Sequence, residues 1–336
     1  MISNFWNRLK TWFYDLRIKI FPKRKARSTA VNKRSGLLFY IAFMALPVLQ
    51  FCVMYIGVNF NSLLLAFQDY DMFTGKFSFV GFQNFRYVFD DITNSAGILS
   101  TSLKNSLIVY GVALLIQEPL GLFFAFYIYK KKPLSEVFRV ILFLPSIISV
   151  VVLATLYKII VSSGYVEFMS FFGVEASGLL SRPNTIFPTI IVYNVWTGFG
   201  MSLLVYTSAM SQVPSEVTEA AMLDGVTPMR EFFSIVLPQI FPTFATFLTV
   251  SIVGIFTNQA NLYTFYRDNA DPAFYTIGYY LFIKVMGDFS TKADYPQAAA
   301  MGVMFSFIAV PITLFIKKFL EYIDPNNDAR FIKRKG

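Results

Sequence analysis

Apolar residues in this chain come in long blocks separated by short polar ones, and the block lengths predict helices that cross a membrane. Residues 37–60 contain no charged side chain over 24 positions. At ~1.5 Å per residue that is roughly 36 Å of helix, enough to cross a hydrocarbon core of about 30 Å with some tilt. Comparable blocks lie near 105–129, 140–157, 186–210, 241–261 and 297–316. The second is interrupted by Gln117-Glu118-Pro119, the third carries Pro145 and the fourth Pro188. The expected fold is therefore all-α and integral to a membrane, with six transmembrane helices.

The intervening segments have patterns of their own. Phe5, Leu9, Trp12, Phe13, Leu16 and Ile20 fall on one helical stripe with Arg8, Lys10, Arg17 and Lys19 around it, so 1–21 is expected to lie in the headgroup plane. A polybasic linker follows. Residues 61–102 hold Asp69, Asp71, Lys76, Arg86, Asp90 and Asp91 among aromatics and are too polar to stay in lipid. An outer loop with a short helix at 166–172 is expected between the third and fourth spans. The apolar run 273–283 is too short to cross and reads as an interfacial or cavity-capping helix.

Composition and charge agree. Of the 336 residues, 55% are hydrophobic and 15% charged, and the mean hydropathy is +0.54. The net charge of +9 does not point to nucleic acid, because ten of the 29 Lys and Arg residues precede position 36 and six lie beyond 316. With both termini inside, 21 of the 29 fall on cytoplasmic segments, Lys130-Lys131-Lys132 among them, as the positive-inside rule requires of six spans. Basic flanks of this kind face anionic lipid. No cleavable signal peptide is expected, since the amino end lacks a short apolar core followed by a small-residue cleavage site. The single cysteine, Cys52, and the absence of histidine exclude a disulfide framework, imidazole proton relays and metal sites built on those residues. The expected domains are a basic amphipathic segment and linker (1–35), a six-helix membrane domain (36–318) and a basic cytoplasmic tail (319–336).

The least membrane-like stretch between two long apolar runs is 214–238, which topology places inside. Ser215 can cap a short helix with Glu216 and Glu219 in its first turns, and Gly225 can supply the left-handed residue that ends it. Thr227 can cap a second short helix that begins at Pro228. The small side chains of Ala220 and Ala221, with acids at one end, shape this helix-turn-helix to fit a groove on another protein.

The spacing in this stretch is specific. Glu219-Ala220-Ala221, three residues, Gly225, nine residues, Ile235, one residue, then Leu237-Pro238 resembles the EAA loop of ABC importer permeases at every spaced position. The resemblance implies the type I importer permease fold and a coupling helix that docks into a cytoplasmic ATPase, with Glu219, Ala220, Ala221, Asp224, Gly225, Ile235, Leu237 and Pro238 as the coupling residues. It implies as partners two ATPase copies, a second homologous permease and an extracytoplasmic solute-binding protein. Ala66-Phe67-Gln68-Asp69-Tyr70 and Phe79-Val80-Gly81-Phe82-Gln83-Asn84-Phe85 look like the upstream permease of oligosaccharide or polysaccharide importers. No outer loop is long enough to hold the large inserted domain of some maltose-type permeases.

Polar and aromatic groups at bilayer depth are the candidates for a passage. Tyr193, Asn194, Trp196 and Thr197, with Asn258 and Gln259, offer rings and hydrogen-bonding groups suited to a sugar. The competing reading of each is interhelical packing and hydrogen bonding. Glu118 is the only carboxylate well inside a span, where a charge costs roughly 2.5 to 3.5 kcal/mol at the bilayer centre. It is therefore neutral, paired or facing water. A proton-coupled carrier would use it as a relay, and an integral-membrane transferase would need a catalytic constellation for which Asp90-Asp91 is the nearest candidate. No Gly-x-x-x-x-Gly-Lys-Ser/Thr run occurs, so ATP and its magnesium belong on a separate subunit and this chain is expected to bind no cofactor and perform no catalysis.

Overall fold

A computed structural model describes residues 33–326. The amphipathic segment expected at 1–21, most of the linker and the last basic residues lie outside the described part. The chain divides into two compact units at Asn61/Ser62. In the first, a helix over Lys33–Gln50 passes through the wide π turn Phe51–Gly57 into the start of the helix Val58–Leu65. The described side chains of this helix, from Phe39 to Asn61, are exposed, an apolar surface suited to lipid.

Among the described residues six helices are long and apolar enough to cross a membrane: Phe39–Leu65, Ile98–Tyr129, Val150–Phe171, Pro183–Met210, Pro228–Thr257 and Asp294–Ile323. Their number agrees with the hydropathy pattern, and several boundaries differ. The second span begins before 105 because Ser102, Asn105 and Ser106 turn inward and are buried. The third is displaced: a helix over Ser135–Ile147 stops at an extended Ile148 and Ser149, and the span proper starts at Val150. Hydropathy is blind to this break, since the residues on both sides are apolar. The short outer helix expected at 166–172 is the end of this same span, Tyr165–Phe171, joined to it by the π turn Ile160–Gly164.

Two of the prolines inside spans, Pro119 and Pro238, are absorbed by widened turns. A proline ring clashes with the carbonyl four residues back and has no N–H to give it. For Pro119 that carbonyl belongs to Leu115 and for Pro238 to Ser234, and each lies within a π segment, Ala113–Gln117 and Phe232–Val236. A π turn lets the helix continue with the clash relieved. The fifth span therefore starts at Pro228, not near 241.

The segment expected only to be polar, 61–102, contains a two-stranded antiparallel hairpin, β1 (Gln68–Asp71) and β2 (Lys76–Phe79), followed by the helix Gln83–Thr93. The buried Asn84 amide donates to the Ala66 and Gln68 carbonyls at 3.1 and 2.7 Å, tying helix to strand. At the hairpin turn the Asp71 carboxylate accepts from the Phe73 N–H at 2.8 Å and the Thr74 hydroxyl at 2.9 Å, which lowers its pKa. Asp90 and Asp91 fall in the last turn of the helix, and the Asp91 carboxylate accepts from the Leu99 N–H at 3.2 Å. The apolar run at 273–283 forms the helix Ile277–Met286, capped by Thr276, whose hydroxyl accepts from the Tyr279 N–H at 3.3 Å.

One apolar cluster joins the second, fourth and fifth spans through Leu122, Phe126, Leu203, Tyr206, Phe232 and Ile240. A second packs the fifth and sixth spans with the short helix through Ile252, Phe256, Ile277, Met301 and Phe305. Close crossings use glycine. A Cβ on Gly278 would stand 2.5 Å from the Thr257 carbonyl carbon, whereas one on Gly302 would meet nothing within 4 Å. Gly278→Val is therefore expected to cost about 1–3 kcal/mol by overpacking, and Gly302→Ala close to nothing. Thermal unfolding of the two variants in detergent checks this, and equal midpoints would contradict the close crossing.

Candidate functional site

The stretch 214–238 begins at Pro214, with Ser215 already helical. Ser215 makes no side-chain cap, contrary to the sequence expectation, because Pro214 occupies the flanking position and leaves the hydroxyl one residue too far along. The helix Ser215–Leu223 ends in a Schellman pattern: Gly225 donates to the Met222 carbonyl at 3.1 Å and Val226 to that of Ala221 at 3.0 Å. Gly225 has φ +71°, with open space where a Cβ would be, so conformation alone demands glycine here. Thr227 flanks the next helix through its carbonyl, which accepts from the Glu231 N–H at 2.9 Å, and its hydroxyl does not cap. Pro228 opens that helix, which continues unbroken into the fifth span and is not a separate short element.

The two alanines face opposite ways. Ala220 is exposed and Ala221 is buried, so a bulky residue at Ala221 would disturb the fold before it met a partner. Exposed with Ala220 are Val217, Met222 and Leu223, the last 89% accessible, beside Glu216, Glu219 and Asp224. Glu219 makes no hydrogen bond or ion pair within the described residues. Ile235, Leu237 and Pro238 are half-buried, and the Pro238 carbonyl accepts from the Asn326 amide at 2.6 Å. An apolar ridge flanked by acids, with the left-handed bend at Gly225 behind it, has the make-up that suits docking of a partner.

The passage candidates divide. Tyr193 is fully buried, its ring against Tyr157 and Phe265 with centroids 5.0 and 4.9 Å away. The Asn194 amide donates to the Ile190 and Ala260 carbonyls at 2.8 and 2.9 Å and accepts from Asn261 at 2.7 Å. Thr197 donates back to the Tyr193 carbonyl at 3.0 Å. These three serve packing and backbone satisfaction. Asn258 and Gln259 lie beyond the helix end at Thr257, in a loop where Ala260 and Asn261 both have positive φ. The Asn258 side chain accepts from the Ala260 N–H at 2.7 Å. Trp196, the Asn258 amide nitrogen and the Gln259 side chain keep groups to offer a solute.

Glu118 is paired: its carboxylate accepts from the fully buried Tyr206 hydroxyl at 2.7 Å, which joins the second and fourth spans. Sequence reading missed Tyr206, which looks like any aromatic in an apolar block. It also missed the ion pair Lys130–Glu231 at 2.8 Å, although an acid in the run 229–237 was a usable signal. Lys158 escaped notice as well. Its ammonium donates to the Phe265 carbonyl and stands 5.5 and 5.6 Å from the Phe265 and Tyr266 ring centroids. Outside the spans, burial pushes the Tyr279 hydroxyl up to about 12, and it donates to the Arg267 carbonyl.

Residues 118–328 match the family described as the inner membrane component of binding-protein-dependent transport systems. This chain belongs to that family. The permease is 28% identical over 306 residues to the probable ABC transporter permease protein YesP of Bacillus subtilis, covering 89% of this chain and 94% of that protein. It is 24% identical over 233 residues to the arabinooligosaccharides transport system permease protein AraP of the same organism, covering 68% and 72%. Its fold matches a chain of the bacterial alginate ABC transporter solved in complex with alginate pentasaccharide-bound periplasmic protein, with TM-score 0.69 and 24% identity over 87% of this chain and 96% of that one. The all-α type I importer permease fold and a multi-pass transport component, as expected from the EAA spacing, follow.

Asn194→Leu removes the amide that holds the Ala260 carbonyl and Asn261, leaving buried polar groups unpaired at a cost of about 1–3 kcal/mol. Hydrogen exchange at 258–262 in the permease is expected to accelerate, with the helix ends on either side unaffected. Unaltered exchange there would show that the clamp holds nothing.

Proposed function

We propose that this permease forms half of the translocation pathway of an ATP-driven carbohydrate importer. A second homologous permease supplies the other half, two copies of a cytoplasmic ABC ATPase supply the motor, and an extracytoplasmic solute-binding protein delivers an oligosaccharide or polysaccharide fragment. Both termini then lie in the cytoplasm, the basic segments 1–35 and 319–336 face anionic lipid, and 36–318 is the transport domain. The observation that carries the reading is the exposed ridge Val217, Ala220 and Leu223 between Glu216 and Glu219, backed by the left-handed Gly225. The carbohydrate assignment draws on the names of the relatives, one for arabinooligosaccharides and one for alginate.

The ATPase is expected to copurify with the permease and to be lost from it in Leu223→Asp, with the thermal midpoint of the permease unchanged. Gly225→Pro forces φ near −65° on a residue held at +71°, so ATP hydrolysis is expected to persist while carbohydrate uptake stops. Normal uptake by both variants would remove the coupling assignment.

The competing proton-carrier reading rests on Glu118 alone, and the bond from Tyr206 assigns that carboxylate a structural partner. A glutamine keeps an oxygen that can accept the same hydrogen bond. Glu118→Gln is therefore expected to take up substrate at the wild-type rate from acidic to neutral pH. A pH-dependent loss of uptake in that variant would revive the relay. The transferase reading has no support from the family to which the chain belongs.

A further inference from the structure

The coupling segment is covalently continuous with the fourth span on one side and the fifth on the other. The second span has no such link, and its cytoplasmic end is 101 residues from Glu231 in sequence. Yet it is held to the segment by a directional contact: Lys130 Nζ and Glu231 Oε1 are 2.8 Å apart, with side-chain exposures of 14% and 4%. Lys130 differs in this from Lys131 and Lys132, which are exposed and carry only the topological charge. Beside the pair, the Phe232 ring packs between Phe123 and Phe126 at 5.1 and 5.0 Å. Aromatic faces can slide, but a buried ion pair cannot be pulled apart without leaving two uncompensated charges.

We propose that Lys130 and Glu231 are positioning residues that lock the second span to the coupling segment, so that motor-driven displacement of the segment reaches mid-membrane along the second span. The inference rests on the coupling role proposed above and adds the route. From Lys130 the helix runs back about 18 Å to Glu118 at ~1.5 Å per residue. There the carboxylate is bonded to Tyr206, and the neighbouring Gln117 side chain lies where a Cβ on Gly198 would be, 2.5 Å from its nitrogen. A displacement of the coupling segment is thereby handed to the fourth span at bilayer depth as well as at its cytoplasmic end. The sequence placed Lys130 only in a topology count, and nothing in the EAA spacing marks Glu231.

The test uses the whole importer, purified with its ATPase and partner permease and reconstituted with its solute-binding protein, reading ATP hydrolysed per substrate transported. Lys130→Gln and Glu231→Gln are each expected to keep ATP hydrolysis within about twofold of wild type while uptake falls roughly tenfold or more, the signature of lost transmission rather than lost catalysis. The reversed pair Lys130→Glu with Glu231→Lys, and the single Lys130→Arg, are expected to recover most of the uptake. Parallel loss of hydrolysis and uptake at a constant ratio, no loss at all, or no recovery on reversal would each overturn the proposal. Should the glutamine variants fail to assemble, spin labels at the exposed Lys131 and Met229 in an otherwise wild-type importer decide the matter. Their separation should not change between nucleotide-free and ATP-bound states, and a change of several ångströms would refute the lock. A wild-type complex that imports without any ATPase would instead refute the coupling role itself.

Discussion

Inside hydrocarbon a backbone N–H or C=O has no water to turn to, and this constraint governs how the permease departs from plain helix. In the loops that follow the fifth span, side chains from other elements supply the missing partners. Asn105 donates to the carbonyls of Ala273 and Tyr275, both at 2.9 Å, and the Ser106 hydroxyl accepts from the Ile277 N–H at 2.9 Å. The Thr276 hydroxyl donates to the Asn258 carbonyl at 2.9 Å, and Asn194 holds that of Ala260. The loops that follow the fifth span are thus fastened to the second and fourth spans through their backbones. Polar groups that a sequence scan assigns to solute contact are committed first to this task.

The same low dielectric gives unusual weight to the few charges it encloses. The helix Glu118–Tyr129 carries one committed polar contact at each end, Glu118 with Tyr206 and, just past its last turn, Lys130 with Glu231. A surface ion pair contributes little, but one this buried resists separation strongly because separation strands both charges. Between the two contacts lie Gly121, Leu122, Ala125 and Phe126, buried against the fourth and fifth spans. The helix is thus held at both ends by contacts to other elements.

Spacing motifs proved legible where the physics is local. Gly225 as the left-handed end of the helix Ser215–Leu223 and Pro228 as the opening of the next follow from backbone preferences within a few residues. The number of spans followed from block length. Span boundaries were less legible: Ser102 read as polar and therefore outside, when its burial makes it part of the span that starts at Ile98. The break at Ile148–Ser149 left no trace because Ser149 is a single small polar residue within an apolar run. The hairpin at 68–79 was hidden by its length, four residues per strand, too short for alternation to register.

The chain's blocks of apolar residues and the EAA spacing decided on their own that this is a six-span permease of the importer family. These are properties of single segments in contact with lipid, water and their own backbone, and such properties need no knowledge of neighbours. Tertiary structure alone decided that Ala221 turns in while Ala220 turns out, that Tyr193 and Asn194 are spent on packing, and that Glu118 and Lys130 each have a partner 88 and 101 residues away. Whether a polar side chain is free to act depends on what else in the folded chain needs its hydrogen bonds, and that demand is set by residues far away in sequence.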